Sequence, residues 1–295
     1  MRVFVTGASG WIGSSVVPEL LAAGHQVLGL ARSDESAAAI ERAGAEVHRG
    51  SLDDLASLRA GAEKADAVVH LAFIHDFANF GASVAADRAA IEAFGDVLAG
   101  SDRALFIASG FGGLPSGATI TENDRPGPDA NPRLENARLV LELADRGIRA
   151  GVLRYAPTVH GAGDHGFMAA LVQIARDRGV SGYIGDGANR WPAVHVSDAG
   201  RLTALAVDKA PAGSILHGVA EQGVPVRTVA EVIGHKLELP VRSVPAAEAD
   251  AHFGWLARFL AMDAPASSEI TRERMGWTPT GPTLLEDLES GAYTG

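Results

Sequence analysis

The sequence predicts an α/β fold built on a doubly wound parallel sheet, with a smaller C-terminal lobe. Three observations lead there. Strand-like apolar runs alternate with helical stretches over the first 155 residues. The first such run feeds straight into a glycine-rich turn. At 295 residues the chain is long enough for one large α/β domain with a lobe attached.

The strand candidates are Val3–Thr6, Gln26–Ala31, Glu46–Arg49, Ala67–Leu71, Ala104–Ser109 and Ala150–Arg154. Runs such as "RVFVTG" and "ALFIAS" are nearly continuous in apolar residues, as strands buried on both faces are. Helical stretches, Trp11–Ala23 and Val84–Leu98 among them, lie between the strands. That alternation predicts parallel strands with helices on both faces, the Rossmann-type arrangement. Beyond residue 155 the pattern loosens, and Gly and Pro crowd into 161–166 and 182–192. Helices are expected near Phe167–Arg178, Ser197–Val207, Arg227–Leu237 and Ala246–Ala261, with a strand at Ser214–Val219 returning to the main sheet. Residues 1–160 are therefore expected to form a dinucleotide-binding domain. Residues 161–295 are expected to form a substrate-binding lobe, interleaved with the sheet near residues 190–220.

Charge and composition exclude several classes. A formal net charge of -11 disfavours polyanions, so no nucleic-acid partner is expected. The absence of cysteine excludes disulfides and thiolate catalysis. No apolar run reaches the ~18 residues of a membrane span. Met1–Gly7 reads as a strand and not as a signal peptide, so a cytoplasmic protein with no membrane partner is the expectation. Only three lysines, Lys64, Lys209 and Lys236, stand among the 25 basic residues, which leaves few candidates for a lysine base.

The strongest motif is Thr6-Gly7-Ala8-Ser9-Gly10-Trp11-Ile12-Gly13, which follows a strand and opens a helix. Gly7 permits the tight turn, Gly10 lets the backbone approach a pyrophosphate, and Gly13 lets helix and strand pack closely. The free N–H groups of the helix's first turn face the phosphates. The second strand selects the cofactor. NAD-preferring sites carry Asp or Glu at its end, whereas this strand ends Gly29-Leu30-Ala31-Arg32-Ser33. Arg32 can neutralise a 2′-phosphate and stack on adenine, and Ser33 can add a hydrogen bond, so NADP(H) is the expected cofactor.

These segments resemble the extended short-chain dehydrogenase/reductase family, which is NAD(P)-dependent epimerase/dehydratase-like, in its atypical branch. "TGASGWIG" is similar to the family's TGxxGxxG. "VVHLA" (Val68–Ala72) is similar to the strand beneath the nicotinamide ribose, "VLRYAPTVHG" (Val152–Gly161) to LRPxxVYG, and Gly185–Gly200 to GDG…VHVxD. The resemblance implies cofactor contacts from Ser51 and Leu52, from Leu71, Ala72 and Phe73, and from Pro157 and Val159. It implies pairing as a homodimer through helices flanking the sheet. It also exposes a gap. The family's Tyr-xxx-Lys pair, which shares one helix face and relays the proton, falls at Leu134 and Arg138. None of the three tyrosines (Tyr155, Tyr183, Tyr293) has Lys four residues later. Arg138 can still hold the nicotinamide ribose or a phosphate, but a permanent cation relays protons poorly. The upstream Asn falls at Asp87, and the strand-end serine at Ser109 or, shifted one residue, at Gly110.

Candidates for a replacement acid are His75 and Asp76, in the loop after the fourth strand, and Tyr155, where the family has Pro. Ligands in open α/β sheets bind outside the carboxyl ends of the strands, where this loop should lie. The third candidate is His160 with Asp164 and His165; they do not complete a known metal pattern, so no metal is expected and the stretch reads as a pocket-lining loop. His195 and Asp198 read as strand end and helix cap, with Ser197 or Asp198 as the capping residue. The aromatic group His252, Phe253, Trp255 and Phe259 suits an apolar pocket lining. The leading expectation is an NADPH-dependent oxidoreductase reducing a small, fairly apolar carbonyl or related unsaturated substrate through a non-standard proton donor. The alternatives are a nucleotide-sugar epimerase/dehydratase-like enzyme and a non-catalytic NADP(H)-binding sensor. The epimerase reading wants an Arg at position 191, where the chain has Trp191, with Arg190 one residue early.

Overall fold

The computed structural model describes residues 1–76, 79–114, 117–127 and 131–293. The first half alternates as expected: β1 (Arg2–Thr6), α1 (Gly13–Ala22), β2 (Gln26–Ala31), α2 (Asp34–Arg42), β3 (Glu46–Arg49), α3 (Leu55–Glu63), β4 (Ala67–His70), α4 (Phe80–Leu98), β5 (Ala104–Ser109), α5 (Pro132–Glu142) and β6 (Arg149–Tyr155). The second half adds β7 (Thr158–His160), α6 (Phe167–Arg178), β8 (Ser181–Ile184), β9 (Arg190–His195), α7 (Val196–Lys209), β10 (Ser214–Gly218), β11 (Glu221–Pro225), α8 (Val226–Leu237) and β12 (Val241–Val244). Short helices α9 (Ala249–Phe253), α10 (Ala257–Leu260), α11 (Glu269–Met275) and α12 (Leu284–Ser290) complete the chain.

The seven-stranded sheet runs β10-β6-β5-β4-β1-β2-β3, with every pairing parallel. The strand order reverses between β1 and β4, which opens a crevice at the carboxyl ends of the strands. Alternate side chains feed two apolar layers. Val3, Val5, Val69 and Phe106 join α1 and α7 on one face. Phe4, Val68, Leu105 and Val152 join α3, α4 and α5 on the other. Each fully buried side chain of this size contributes roughly 1.5–3 kcal/mol. A third core, with Met168, Leu171, Val229, Phe253 and Leu284 at its centre, belongs to the C-terminal elements.

Several boundaries differ from the sequence reading. α1 begins at Gly13 and not Trp11, because Gly7–Ile12 are spent on the turn. α4 begins at Phe80, one turn before Val84. The expected helix Ala246–Ala261 is broken, because Gly254 adopts a φ of 57° between α9 and α10. No helix among the described residues is long and apolar enough to cross a membrane.

Candidate active site

The glycine turn forms a backbone cradle. Gly7 sits at a φ of 69°, a left-handed conformation that favours glycine. A Cβ on Gly7 would come within 2.8 Å of the Ala72 nitrogen, and one on Gly13 within 2.0 Å of the Gly7 carbonyl oxygen. No side chain caps α1 and no acid stands in its first turn. The backbone N–H groups of Trp11 and Ile12 bond to nothing among the described residues. Free donors at the positive end of a helix dipole suit a pyrophosphate. A nicotinamide dinucleotide therefore fits, with Thr6, Ser9 and Gly10 on the same turn.

A buried chain of hydrogen bonds holds this cradle from below. The Thr6 hydroxyl accepts from the Ala72 N–H at 3.2 Å and meets His70 Nδ1 at 2.6 Å. With its proton on Nε2, His70 donates to Asp87 at 3.2 Å. Asn136 Nδ2 donates to the other Asp87 oxygen at 2.7 Å and to the Val84 carbonyl at 3.0 Å. Burial works to raise the Asp87 carboxyl, but the hydrogen bonds from His70 and Asn136 and the charge of Arg133 hold it below the usual carboxylate value. Asp87 thus lies under the turn, tying β1, β4, α4 and α5 together. His70 and Asn136 are members of the site that sequence reasoning missed.

At the adenosine end Arg32 follows β2, exposed and without a partner among the described residues. The nearest acid in the chain, Asp34, is drawn to Arg49 at 2.8 Å. Ser33 caps α2, its hydroxyl accepting from the Ser36 N–H at 3.2 Å. Ser51 and Leu52 are half-buried after β3, with Leu52 packed on the core.

At the nicotinamide end the structure gathers a different set from the family's. Leu134 is buried in the core. Arg138 turns outward along α5 and pairs with Glu135 at 2.9 Å and with Glu142, so it is engaged away from the crevice. Tyr155 is also removed: its ring is buried and its phenol meets the Thr203 hydroxyl at 2.5 Å. Burial raises its pKa further. Tyr155 is a packing residue and not the replacement acid. Asp76 accepts from the Asn79 N–H at 3.2 Å and from its amide at 2.8 Å, securing the entry to α4.

What remains at the end of β5 is Ser109, its buried hydroxyl without a hydrogen-bond partner, and Arg133. Arg133 projects from the first turn of α5. Its guanidinium lies 3.8 Å from the Phe73 ring centroid, and Nη2 reaches the Ala108 carbonyl at 3.4 Å. His75 stands beside it, its ring 5.4 Å from that of Phe73. His75 is exposed, but its partial withdrawal from water, then the Arg133 charge, lowers its pKa. Arg133 is a further member of the site that the sequence motifs do not mark. Its place one residue before the vacant tyrosine position was the available signal. Leu71 and Ala72 lie half-buried against Gly7. Half-buried Pro157 leads from β6 toward buried Val159 on β7, whose carbonyl accepts from Trp11 Nε1 at 2.7 Å.

The remaining candidates go elsewhere. His160 bonds Asp287 at 2.6 Å. Asp164 accepts from the Tyr293 hydroxyl at 2.9 Å. The His165 ring sits 6.0 Å from Trp11. The cap of α7 is His195, which accepts from the Ser197 N–H at 3.3 Å. Asp198 is not the cap; it is buried and accepts from the N–H groups of Thr280 and Gly281, each at 2.9 Å. Arg190 is committed to Asp263 at 2.9 Å and Trp191 is buried, so neither offers a free cation to a sugar diphosphate. On the strands beyond Ser109, burial brings His217 to about 4. It is therefore neutral, its Nδ1 facing the Ser267 carbonyl at 2.7 Å and its Nε2 facing Arg154 at 3.3 Å.

Comparison with known proteins agrees with this architecture. Residues 3–109 match the NAD dependent epimerase/dehydratase family. An uncharacterized protein of Schizosaccharomyces pombe is 48% identical over 99% of this chain and 100% of its own length. A 3-diazoavenalumate denitrifying reductase of Streptomyces sp is 29% identical over 98% and 99%. The crystal structure of a dTDP-glucose 4,6-dehydratase from Streptomyces venezuelae, with NAD bound, superposes with a TM-score of 0.75 at 21% identity, covering 99% of this chain and 96% of that one. The chain belongs to the NAD dependent epimerase/dehydratase family, and it lacks the Tyr-xxx-Lys pair.

Proposed function

We propose that the protein is an NADPH-dependent oxidoreductase that reduces a small, fairly apolar carbonyl or related unsaturated compound. The observation that carries this reading is the pair of buried polar atoms without partners at the end of β5, Ser109 Oγ and Arg133 Nε. Donors buried without partners are costly, and Arg133 reaches the carbonyl of Ala108, the residue next to Ser109, at 3.4 Å. When bound, the dinucleotide supplies a hydride to the carbonyl carbon and leaves oxidised. Ser109 donates to the substrate oxygen, and the Arg133 charge stabilises the alkoxide as it forms. The proton that completes the alcohol comes from His75. Aromatic rings supply the apolar wall: Phe167 lies 5.6 Å from Trp191 and 4.9 Å from Phe259, and it opens α6 directly after the loop that covers Trp11. The reductase name of the Streptomyces relative supports the same direction.

Two measurements test the reading. Arg32→Ser should weaken NADPH binding about 10- to 100-fold, the loss of one charge-assisted hydrogen bond, and leave NADH binding unchanged. Calorimetry with both dinucleotides decides this, and an unaltered NADPH affinity removes the phosphate-selecting role. The second concerns pH. His75 must be protonated to give its proton, and partial withdrawal from water, with the neighbouring Arg133 and His165, sets its pKa below 6.5. Turnover at saturating NADPH should therefore rise as pH falls, with its inflection below that value. His75→Gln should lose that limb and about 10²-fold in rate. A mutant profile of unchanged shape rules His75 out as the donor.

A further inference from the structure

We infer that Arg133 binds a carboxylate, so that the substrate is an oxo acid whose acid group lies close to its carbonyl. This rests on the reductase reading and narrows it to a substrate class. Arg133 forms no ion pair among the described residues. Its one side-chain hydrogen bond among the described residues is long, 3.4 Å from Nη2 to the Ala108 carbonyl, and its Nε is buried and unpartnered. A guanidinium taken out of water without a counter-charge is costly. The carboxylate whose field it feels, Asp87, is already engaged by His70 and by Asn136.

The stacking of Arg133 on Phe73 fixes the plane of the guanidinium, and a planar fork with uncommitted N–H groups matches a carboxylate edge to edge. Ala108, which takes the Nη2 bond, directly precedes Ser109 with its own free hydroxyl. A carbonyl held by Ser109 and an acid held by Arg133 therefore belong to one small molecule. A lysine could not replace the fork, because its ammonium is a point charge.

The experiment uses the full chain saturated with NADP⁺, where no turnover occurs, and titrates it by calorimetry. The probes are 2-oxo-4-phenylbutanoate and its neutral counterpart, 4-phenylbutan-2-one. The acid should bind roughly 30- to 100-fold more tightly, as expected for a charged hydrogen-bonded pair. Arg133→Gln should erase that preference, and Arg133→Lys should restore only part of it. Melting temperature and NADP⁺ affinity, measured alongside, report whether each variant is folded. Equal binding of the two probes to the wild type, no binding of the acid, or a preference that survives in folded Arg133→Gln overturns the inference. If the wild type gives no heat with NADP⁺ or NADPH, the reductase reading falls. The acid titrated into the chain alone then decides the carboxylate site: binding that Arg133→Gln removes supports it, and no binding ends it.

Discussion

Gly13→Ala is expected to abolish dinucleotide binding and to lower the melting temperature by roughly 5 °C, the effect of ~3 kcal/mol in a chain of this size. The added Cβ would stand 2.0 Å from the Gly7 carbonyl oxygen, 2.8 Å from that of Ala8 and 2.9 Å from the Ala8 carbonyl carbon. All three are backbone atoms, so no rotamer change relieves the clash. α1 must slide away from β1, and the cradle opens as it does. Two other glycines separate folding from binding. A Cβ on Gly10 meets only the Gly7 oxygen, at 3.2 Å, so Gly10→Ala should fold near-normally yet block the pyrophosphate. A Cβ on Gly24 meets nothing within 4 Å, so Gly24→Ala carries only the strain of its positive φ and should keep full NADPH binding. Thermal melts and calorimetry on the three variants check the order. A Gly13→Ala protein that melts and binds like the wild type would show that the turn is not packed as described.

The first half of the fold was legible because its signals are local. β1, β2, β4 and β5 are short apolar runs, and the glycine turn carries its own geometry in its spacing. The C-terminal half was less so. β7, β9 and β11 form a three-stranded sheet of their own, and β8 pairs with β12 across some sixty residues of chain. Strands of three to six residues paired at that distance leave little periodicity to read. The break at Gly254 illustrates the same limit, since a lone glycine in an apolar stretch reads equally as a tolerated residue or as a stop.

The site divides in the same way. The packing of the turn follows from its glycine spacing. The roles of Arg133, Tyr155 and Arg138 depend instead on how α5 and β6 rotate against their neighbours. Leu134 packs into the core, whereas Arg138, one turn later on the same side of the helix, is exposed and held by its two glutamates, Glu135 and Glu142. Arg133, one position earlier on the helix, points across the strand ends to Phe73. Tyr155 occupies a motif position that suggested chemistry, yet strand alternation sends its ring into the α7 side of the sheet, against Thr203. Register, and not residue type, decided each case.

Asp87→Ala should cost about 3 kcal/mol or more, because it removes one partner from a buried pair and leaves His70 and the Asn136 amide unsatisfied. The carboxylate side chain is only 5% exposed, so water cannot take its place freely. The loss should spread to the cofactor. His70 would no longer be oriented toward Thr6, whose hydroxyl positions the Ala72 N–H beside Gly7. NADPH affinity should therefore fall along with the melting temperature, although Asp87 itself lies beneath the turn. The carboxylate also sets an acid limit. Its folded pKa is depressed, against 3.8 for an ordinary Asp, by its hydrogen bonds to His70 and Asn136 acting against burial. The stability it adds is fully present above that ordinary value and is lost as pH falls through the depressed one. Asp87→Asn keeps the shape and cannot ionise, so its stability should respond less to acid than the wild type's over that window. Urea melts of the wild type, Asp87→Asn and Asp87→Ala at pH 7 and pH 3 check both points. If Asp87→Ala melts with the wild type at pH 7, the buried chain from Asn136 to Thr6 does not support the turn.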